Sequence, residues 1–350
     1  MAGLGFDLSD AFDDPKPQVD AVVTWVDGAD PAHRAKLLRY RGADYHNEAW
    51  RDTRFDDSGE LRFCLASIAL FAPFVRYVYL VTDDQSPAFL DDLFRSHSSL
   101  KDRIKVVDHT DIFSNADYLP TFNSIAIEAA MHRIDGLSER FIYFNDDFFL
   151  ARPLSPSYFF DEKGPILRGD FKKYYDDRIS YRIKSFLDPG GQRAARPGFI
   201  TSQQLAARLA WNEARYLQVG HAPHPLRRST IASFYEKRPQ VMDTQLRHRF
   251  RHPDQISTIS AANHVELRAG TAKVEPALDI GYIKPSRALE TTIETFAENL
   301  AAGRFASVCV QSLDEFSKEH RAALLAVLEG HYFARSNRDA GTTPLGADDR

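Results

Sequence analysis

"FIYFNDDFFLARPL", residues 141–154, is the stretch on which the reading of the fold turns. Phe141 to Phe144 is aromatic and β-branched, the composition of a buried strand, yet Asn145, Asp146 and Asp147 follow at once and apolar residues resume at Phe148. A strand that simply surfaced would close on residues facing water. Acids set between large apolar side chains carry a desolvation cost unless a cation or hydrogen-bond donors compensate them. Side chains alternate along a strand, which predicts that Asn145 and Asp147 share a face while Asp146 points the other way until the chain turns. An isolated Asp-Asp pair can also do no more than cap a turn, so the surroundings have to decide.

Working outward, three further runs have the same strand character: "VDAVVTWV" at 19–26, "YVYLVTDDQ" at 77–85 and "RIKVVDH" at 103–109. Between them lie helical patterns. "GELRFCLASIALFAPF" places Leu61, Leu65, Ile68 and Ala69 on one face and is limited by Pro73; "PAFLDDLF" is a short helix. "TFNSIAIEAAMHRI" offers an N-cap at Thr121, Asn123 or Ser124, with Glu128 a few residues further in. Four alternations of strand and helix over about 130 residues predict an α/β fold, a mostly parallel central sheet flanked by helices on both faces. In such sheets ligands bind beyond the carboxyl ends of the strands. The first, second and fourth strands end in "TWVDGAD", "VTDDQ" and "FNDD", so three polar, acidic clusters are expected on one edge. There the Asp-x-Asp-like spacing at 145–147 resembles the pattern by which nucleotide-sugar transferases hold a divalent ion, and Mg²⁺ needs only one or two carboxylates. Asp27 and Asp30 read either as ribose contacts at a switch point or as turn formers.

The 350 residues are 43% hydrophobic and 12% aromatic, with 18 Gly and 18 Pro, an ordinary globular composition and enough chain for a sizeable core. A formal net charge of −5 excludes a molecule that attracts nucleic acid or acidic bilayers as a whole, so any anion site is local. Cys64 and Cys309 sit in apolar contexts far apart, which suits reduced, buried thiols. No apolar run approaches the roughly 18 residues of a membrane span, and the acidic N-terminus is unlike a signal peptide. The expectation is a soluble, cytoplasmic protein, with peripheral association at the inner face of the membrane left open.

From about residue 155 the pattern loosens. "DPGGQRAARPG" reads as a mobile loop, "SQQLAARLAWNEARYL" as a helix, "HAPHPL" as a break, and "PQVMDTQLRHRF" as a helix running into a basic cluster. His221 and His224 are too few for a structural zinc site and suit a catalytic base or a phosphate contact. "RHRFRH", with Arg249 and Arg251, is either a solvated helix end or an anion clamp. The expected division is an N-terminal extension at 1–18, a single domain at 19–335 (a nucleotide and metal half at 19–155, a helical half at 156–335) and a disordered tail at 336–350.

Taken together, "VVTWVDGADP", the run from Glu60 to Gln85, "LPTFNSIAIEAAMHRIDGLSERFIYFNDDFF" and the segment from "HAPHP" to "RFRH" resemble the Stealth family, over about residues 19 to 335. The resemblance implies a glycosyltransferase-A-like core with a helical C-terminal portion, a UDP-sugar donor, usually UDP-N-acetylglucosamine, and Mg²⁺ or Mn²⁺. It implies transfer of sugar-1-phosphate to a hydroxyl of a glycan or sugar acceptor, with release of UMP. By that resemblance Asp147, His221 and Arg251 are catalytic, Asp146 and Asp147 hold the metal, and Thr24, Trp25, Arg62, Gln85 and Ser124 line the nucleotide-sugar cleft; the reading of the residues adds Asn145 to the metal set and Asp27, Asn123, His224 and Arg249 to the substrate contacts. Two positions depart from the family's habit: Ala66 replaces a common Arg, and Cys309-Val310-Gln311-Ser312 replaces Cys-Leu-Asn-Asp, which removes a potential metal ligand. A glycosyltransferase releasing UDP, or a nucleotide- or carbohydrate-binding module without turnover, are the rival readings.

Overall fold

The computed structural model describes residues 18–40, 59–175, 198–211, 213–285 and 290–334. The first half builds β1 (Val19–Thr24), α1 (Pro31–Tyr40), α2 (Glu60–Phe71), β2 (Val75–Thr82), α3 (Leu90–Ser96), β3 (Ile104–Asp108), α4 (His109–Ile112), α5 (Ser124–Ala130), β4 (Arg140–Asn145) and β5 (Phe148–Leu150). β1 to β4 are parallel neighbours in the order β3-β2-β1-β4. The order reverses at β1, and the register sets Thr24 beside both Val81 and Asn145, so the carboxyl ends of β1, β2 and β4 finish level. All six residues of β1 are buried, as its uninterrupted apolar run requires of a central parallel strand.

Asp20 is the exception within that run, and it is fully paired. Its carboxylate accepts from Arg76 Nε (3.0 Å) and Nη2 (2.7 Å), from Tyr77 N (3.1 Å) and from Ser138 N (2.8 Å), tying the amino ends of β1, β2 and β4 together. α2 ends where Pro73 forbids continuation, and Ser67 on its inner face accepts from Leu150 N (3.0 Å), which fixes the helix against β5.

After Asn145 the chain leaves the large sheet. Asp146 and Asp147 form a turn, and β5 pairs with a different sheet, in the order β10-β11-β5. The expected alternation therefore stops at Asn145, and Asp147 takes its direction from the turn and not from the strand period. The second half contains α6 (Pro156–Phe159), β6 (Ile166–Lys173), α7 (Phe199–Ala210), β7 (Arg215–Val219), β8 (His224–Arg227), α8 (Arg228–Glu236), α9 (Pro239–Arg247), α10 (Thr258–Ala269), β9 (Lys273–Glu275), β10 (Ile280–Ile283), α11 (Glu290–Ala301), β11 (Ser307–Val310) and α12 (Lys318–Tyr332).

This half is less helical than its sequence suggested. Residues 215–217, read as the end of a helix, lie in β7, in a sheet of order β7-β6-β9; β8 starts within the "HAPHPL" break, pairs antiparallel with β4 and forms the large sheet's edge. The loop expected at 188–198 lies almost wholly outside the described residues, as do the extension at 1–17 and the tail from 335. The core forms on both faces of the central sheet: one cluster joins α2 and α12 to β1 and β4, the other joins α5 and α8 to α10.

Candidate active site

Asp20 and Asp147 are both shielded carboxylates, and they differ in what they meet. Asp20, at the amino end of the sheet, has every oxygen paired. Asp147, at the carboxyl end, receives a weak donor, Cys309 Sγ at 3.4 Å from Oδ2, while its buried Oδ1 has no hydrogen-bond partner. Burial pushes the Asp147 carboxyl up to about 6, with the Cys309 thiol opposing the shift. An under-paired carboxylate oxygen beside Asp146 and Asn145 fits a hard cation, which takes oxygen ligands. The two cysteines are free and buried, as expected, and both reach this turn: Cys64 Sγ lies 3.9 Å from the Asn145 carbonyl. Burial and the nearby acids raise both thiols well above their ordinary range, so they stay protonated.

A hydrogen-bonded group connects the turn to the neighbouring elements. The Tyr143 hydroxyl donates to Asn145 Oδ1 (2.7 Å) and lies 3.0 Å from Thr24 Oγ1, joining the ends of β1 and β4. It also meets Glu128 on α5, whose carboxyl burial pushes up to about 7 against the opposing pull of Arg251 and Tyr143. Arg251 Nη2 donates to Ser124 Oγ at 2.7 Å, one helical turn from Glu128, and its charge acts on Glu128, Tyr143 and His221. The His221 ring is held between Phe199 (4.3 Å between centroids) and Tyr282 (5.4 Å), both nearly parallel to it. Tyr282 in turn feels Asp147 and Cys309. Burial, then Lys284 and Arg251, lower the His221 pKa, so the imidazole is neutral at neutral pH.

Thr24, Ser124, Asn145, Asp146, Asp147, His221 and Arg251 thus belong to one connected edge. Trp25 lies beside it, buried, with its amide on Val81 O (3.0 Å). The other expected contacts spend their polar groups on the scaffold. The Asp27 carboxylate accepts from Ala29 N (2.8 Å), the turn-forming alternative, while the Gln85 amide bonds Asp27 N (3.0 Å), Asp27 O (2.9 Å) and Asp30 Oδ2 (2.9 Å). Asn123 caps α5 at Ile125 N (3.1 Å) and donates to His248 O and Gln255 Oε1, both at 2.9 Å. Arg249 Nη2 holds the carbonyls of Asp117 (2.6 Å) and Leu119 (3.1 Å). His224 is buried on β8 with its pKa lowered to about 3, first by burial and then by His221. Arg62 is drawn to the C-terminal helix, where it pairs with Glu329 and covers the Phe63 and Phe333 rings at 5.2 and 4.6 Å.

Glu128, Tyr143, Cys309 and Tyr282 were not singled out as site residues from the sequence. For two of them a signal existed: Glu128 is four residues from Ser124 on one helix face, and Tyr143 shares a strand face with Asn145.

Fold and site together define an α/β protein with an acidic strand-end site at the point where the sheet order reverses, set among a neutral imidazole and a guanidinium. Conserved region 1 of Stealth proteins matches residues 17–45 and conserved region 2 matches residues 54–167. The receptor polysaccharide phosphotransferase WefC of Streptococcus oralis is 34% identical over 263 residues, covering 67% of this chain and 74% of that protein. The chain belongs to the Stealth family. An exopolysaccharide phosphotransferase of Streptomyces coelicolor is 39% identical over 254 residues, 72% of this chain and 40% of its own; against relatives of this kind the chain spans less than half of their length. Among solved structures, a galactosyltransferase in complex with donor and acceptor sugar analogues aligns over 93% of this chain and 97% of its own, at 11% identity and a TM-score of 0.40. No helix among the described residues is long and apolar enough to cross a membrane.

Proposed function

We propose that this chain transfers sugar-1-phosphate, N-acetylglucosamine-1-phosphate being the first choice, from a UDP-sugar to a hydroxyl of a glycan or sugar acceptor, and releases UMP. The observation that carries the reading is the buried, unpartnered Oδ1 of Asp147 at the β1/β4 switch point. The names of the Stealth relatives, polysaccharide phosphotransferases, support transfer of a phosphorylated sugar. Asp147, with Asp146 or Asn145, would hold Mg²⁺ or Mn²⁺, and the bound ion would supply charge neutralisation for the donor's pyrophosphate.

The remaining roles follow from the residues. The acceptor oxygen attacks the phosphorus that bears the sugar, the bond to the bridging pyrophosphate oxygen breaks, and UMP leaves. His221, neutral and fixed between two rings, takes the acceptor proton. Arg251 stabilises the developing charge on the transferred phosphoryl oxygens. Ser124 and Glu128 orient Arg251, and Tyr143 and Thr24 hold Asn145. With such a donor, the location proposed for the reaction is the cytoplasm.

The test is incubation with UDP-N-acetylglucosamine, Mg²⁺ or Mn²⁺ and a panel of glycan acceptors, followed by ³¹P spectroscopy and nucleotide analysis. A new phosphodiester resonance with UMP is expected. UDP as the product would mean that the anomeric C–O bond broke, and metal-dependent nucleotide binding without product would mean a binding module.

A further inference from the structure

The loop that follows α9 carries a second cluster of metal-ligating groups, none of them at the β4–β5 turn. The imidazoles of His248 and His252 lie face to face, 4.0 Å between centroids and 1° apart in plane. One nitrogen of each and a carboxylate oxygen of Asp254 all lie within 4.8 Å of one another. Asp254 N donates to His252 Nδ1 at 3.3 Å, which engages that lone pair in a long hydrogen bond, and Asp254 Oδ2 lies 3.4 Å from the same atom, so a cation would take the place of that hydrogen bond. His248 Nε2 is also an acceptor, 3.4 Å from Arg247 Nε.

The backbone of this loop is already fixed. Fully buried Asn123 holds the His248 carbonyl, Gln255 Oε1 accepts from His252 N (2.8 Å), and Gln255 Nε2 donates to Gln245 O (2.8 Å). Phe250, between the two histidines, stacks on Phe122 at 5.1 Å. Ligation requires that the half-buried rings leave their parallel stack by tilting about χ2 and that the long hydrogen bonds to His252 Nδ1 and His248 Nε2 give way, while the backbone that carries them stays in place and limits the ordering entropy.

We propose that His248, His252 and Asp254 form a binding site for a borderline transition-metal cation of the Zn²⁺ class, distinct from the oxygen-ligand site at Asp147. Two imidazoles and one carboxylate are a donor set for such an ion, with water completing its coordination, whereas Mg²⁺ prefers oxygen throughout.

The experiment is calorimetric titration of the EDTA-stripped chain with Zn²⁺, together with the visible d–d absorption of added Co²⁺. It uses the wild type, Asp147→Asn, His248→Ala, His252→Ala and Asp254→Asn, each checked for folding by circular dichroism. One Zn²⁺ is expected to bind Asp147→Asn as tightly as it binds the same site in the wild type. Each loop substitution should weaken it about tenfold or more, and His252→Ala should lose the Co²⁺ band. The exposed Asp254→Asn change serves if a histidine variant does not fold. Absence of Zn²⁺ uptake by Asp147→Asn, or uptake indifferent to all three loop substitutions, would show that the cluster shares a proton and no metal.

Discussion

At the scale of single residues, two carboxyl groups in the site are unlike the acids around them. Asp20 shows that this fold satisfies a buried carboxylate fully when the group serves structure. Asp147 keeps an oxygen unpaired, so its substitution should be felt in turnover before stability. Asp147→Asn is expected to reduce phosphodiester formation by about 10²-fold or more while raising Tm at pH 8, where the wild-type carboxyl is ionised against its burial, and near-wild-type turnover would remove it from the mechanism. For Arg251→Lys the expected loss is also large, because an ammonium cannot hold Ser124 and a phosphoryl oxygen with one planar fork; single-turnover rates at saturating donor measure it. Glu128 makes a separate, thermodynamic prediction. The folded protein holds its proton to about pH 7, against an ordinary value of 4.5, so its contribution to stability is fully present below pH 4.5 and is lost as pH rises through 7. The span corresponds to about 3 kcal/mol at most. Glu128→Gln should therefore stabilise the protein at pH 8 relative to wild type and leave it nearly unchanged at pH 4.5, as denaturant titrations at the two pH values would show. Equal effects at both would mean that Glu128 is not desolvated.

At the scale of elements, the parts of the site legible in the sequence were those written in a single local pattern. The strand ends at Thr24 and Asn145 could be placed because buried parallel strands announce themselves as continuous apolar runs, and the switch point follows from their order. The direction of Asp147 was not legible, since it depends on β5 joining β11, a partner more than 150 residues away. The same limit hid β8: four residues containing a proline read as a break until β4 offers an edge to pair with. Asn123 was legible as a possible helix cap, and its larger task was not. It binds the first turn of α5 to the loop that carries Arg251, through His248 O and Gln255 Oε1. Asn123→Ala removes a cap and takes the donor from the His248 carbonyl, while Gln255 Oε1 keeps its bond from His252 N, a loss of about 1–3 kcal/mol. It should also lower turnover further than an equally destabilising change on α12, because Arg251 loses its fixed platform. Comparing kcat for the two variants at a temperature where both are fully folded tests this, and equal kcat values would confine Asn123 to stability.

At the scale of the whole molecule, the buried titratable groups divide into two sets whose proton linkages oppose each other. Glu128 and Asp147 have raised folded-state pKa values, about 7 and about 6, and take up protons on folding at mildly acidic pH. His109, His132 and His224 are desolvated as neutral rings, with folded values lowered from 6.5 to about 4, 4 and 3. Their contribution is present above pH 6.5 and is lost as pH falls toward those values. Between pH 6.5 and 4.5 acidification therefore helps through two carboxyls and harms through at least these three imidazoles, so the carboxyls offset part of the loss and the net slope is gentle. Below pH 4.5 the offset from Glu128 is exhausted, His109 and His132 complete their loss near pH 4 and His224 near pH 3, and Asp83 and Asp108, whose folded values are lowered by their donors and neighbouring charges, add to the loss. The expected stability profile in EDTA is a gentle decline from pH 6.5 to about 4.5 followed by a steeper fall, read as Tm against pH. In Glu128→Gln one opposing carboxyl is gone, so the decline between pH 6.5 and 4.5 should be steeper than in the wild type. A wild-type profile that falls steeply from pH 6.5, superimposable on that of the variant, would mean that the carboxyl at the heart of the site is solvated, and with it the desolvated environment from which the roles of Asp147, His221 and Arg251 were drawn.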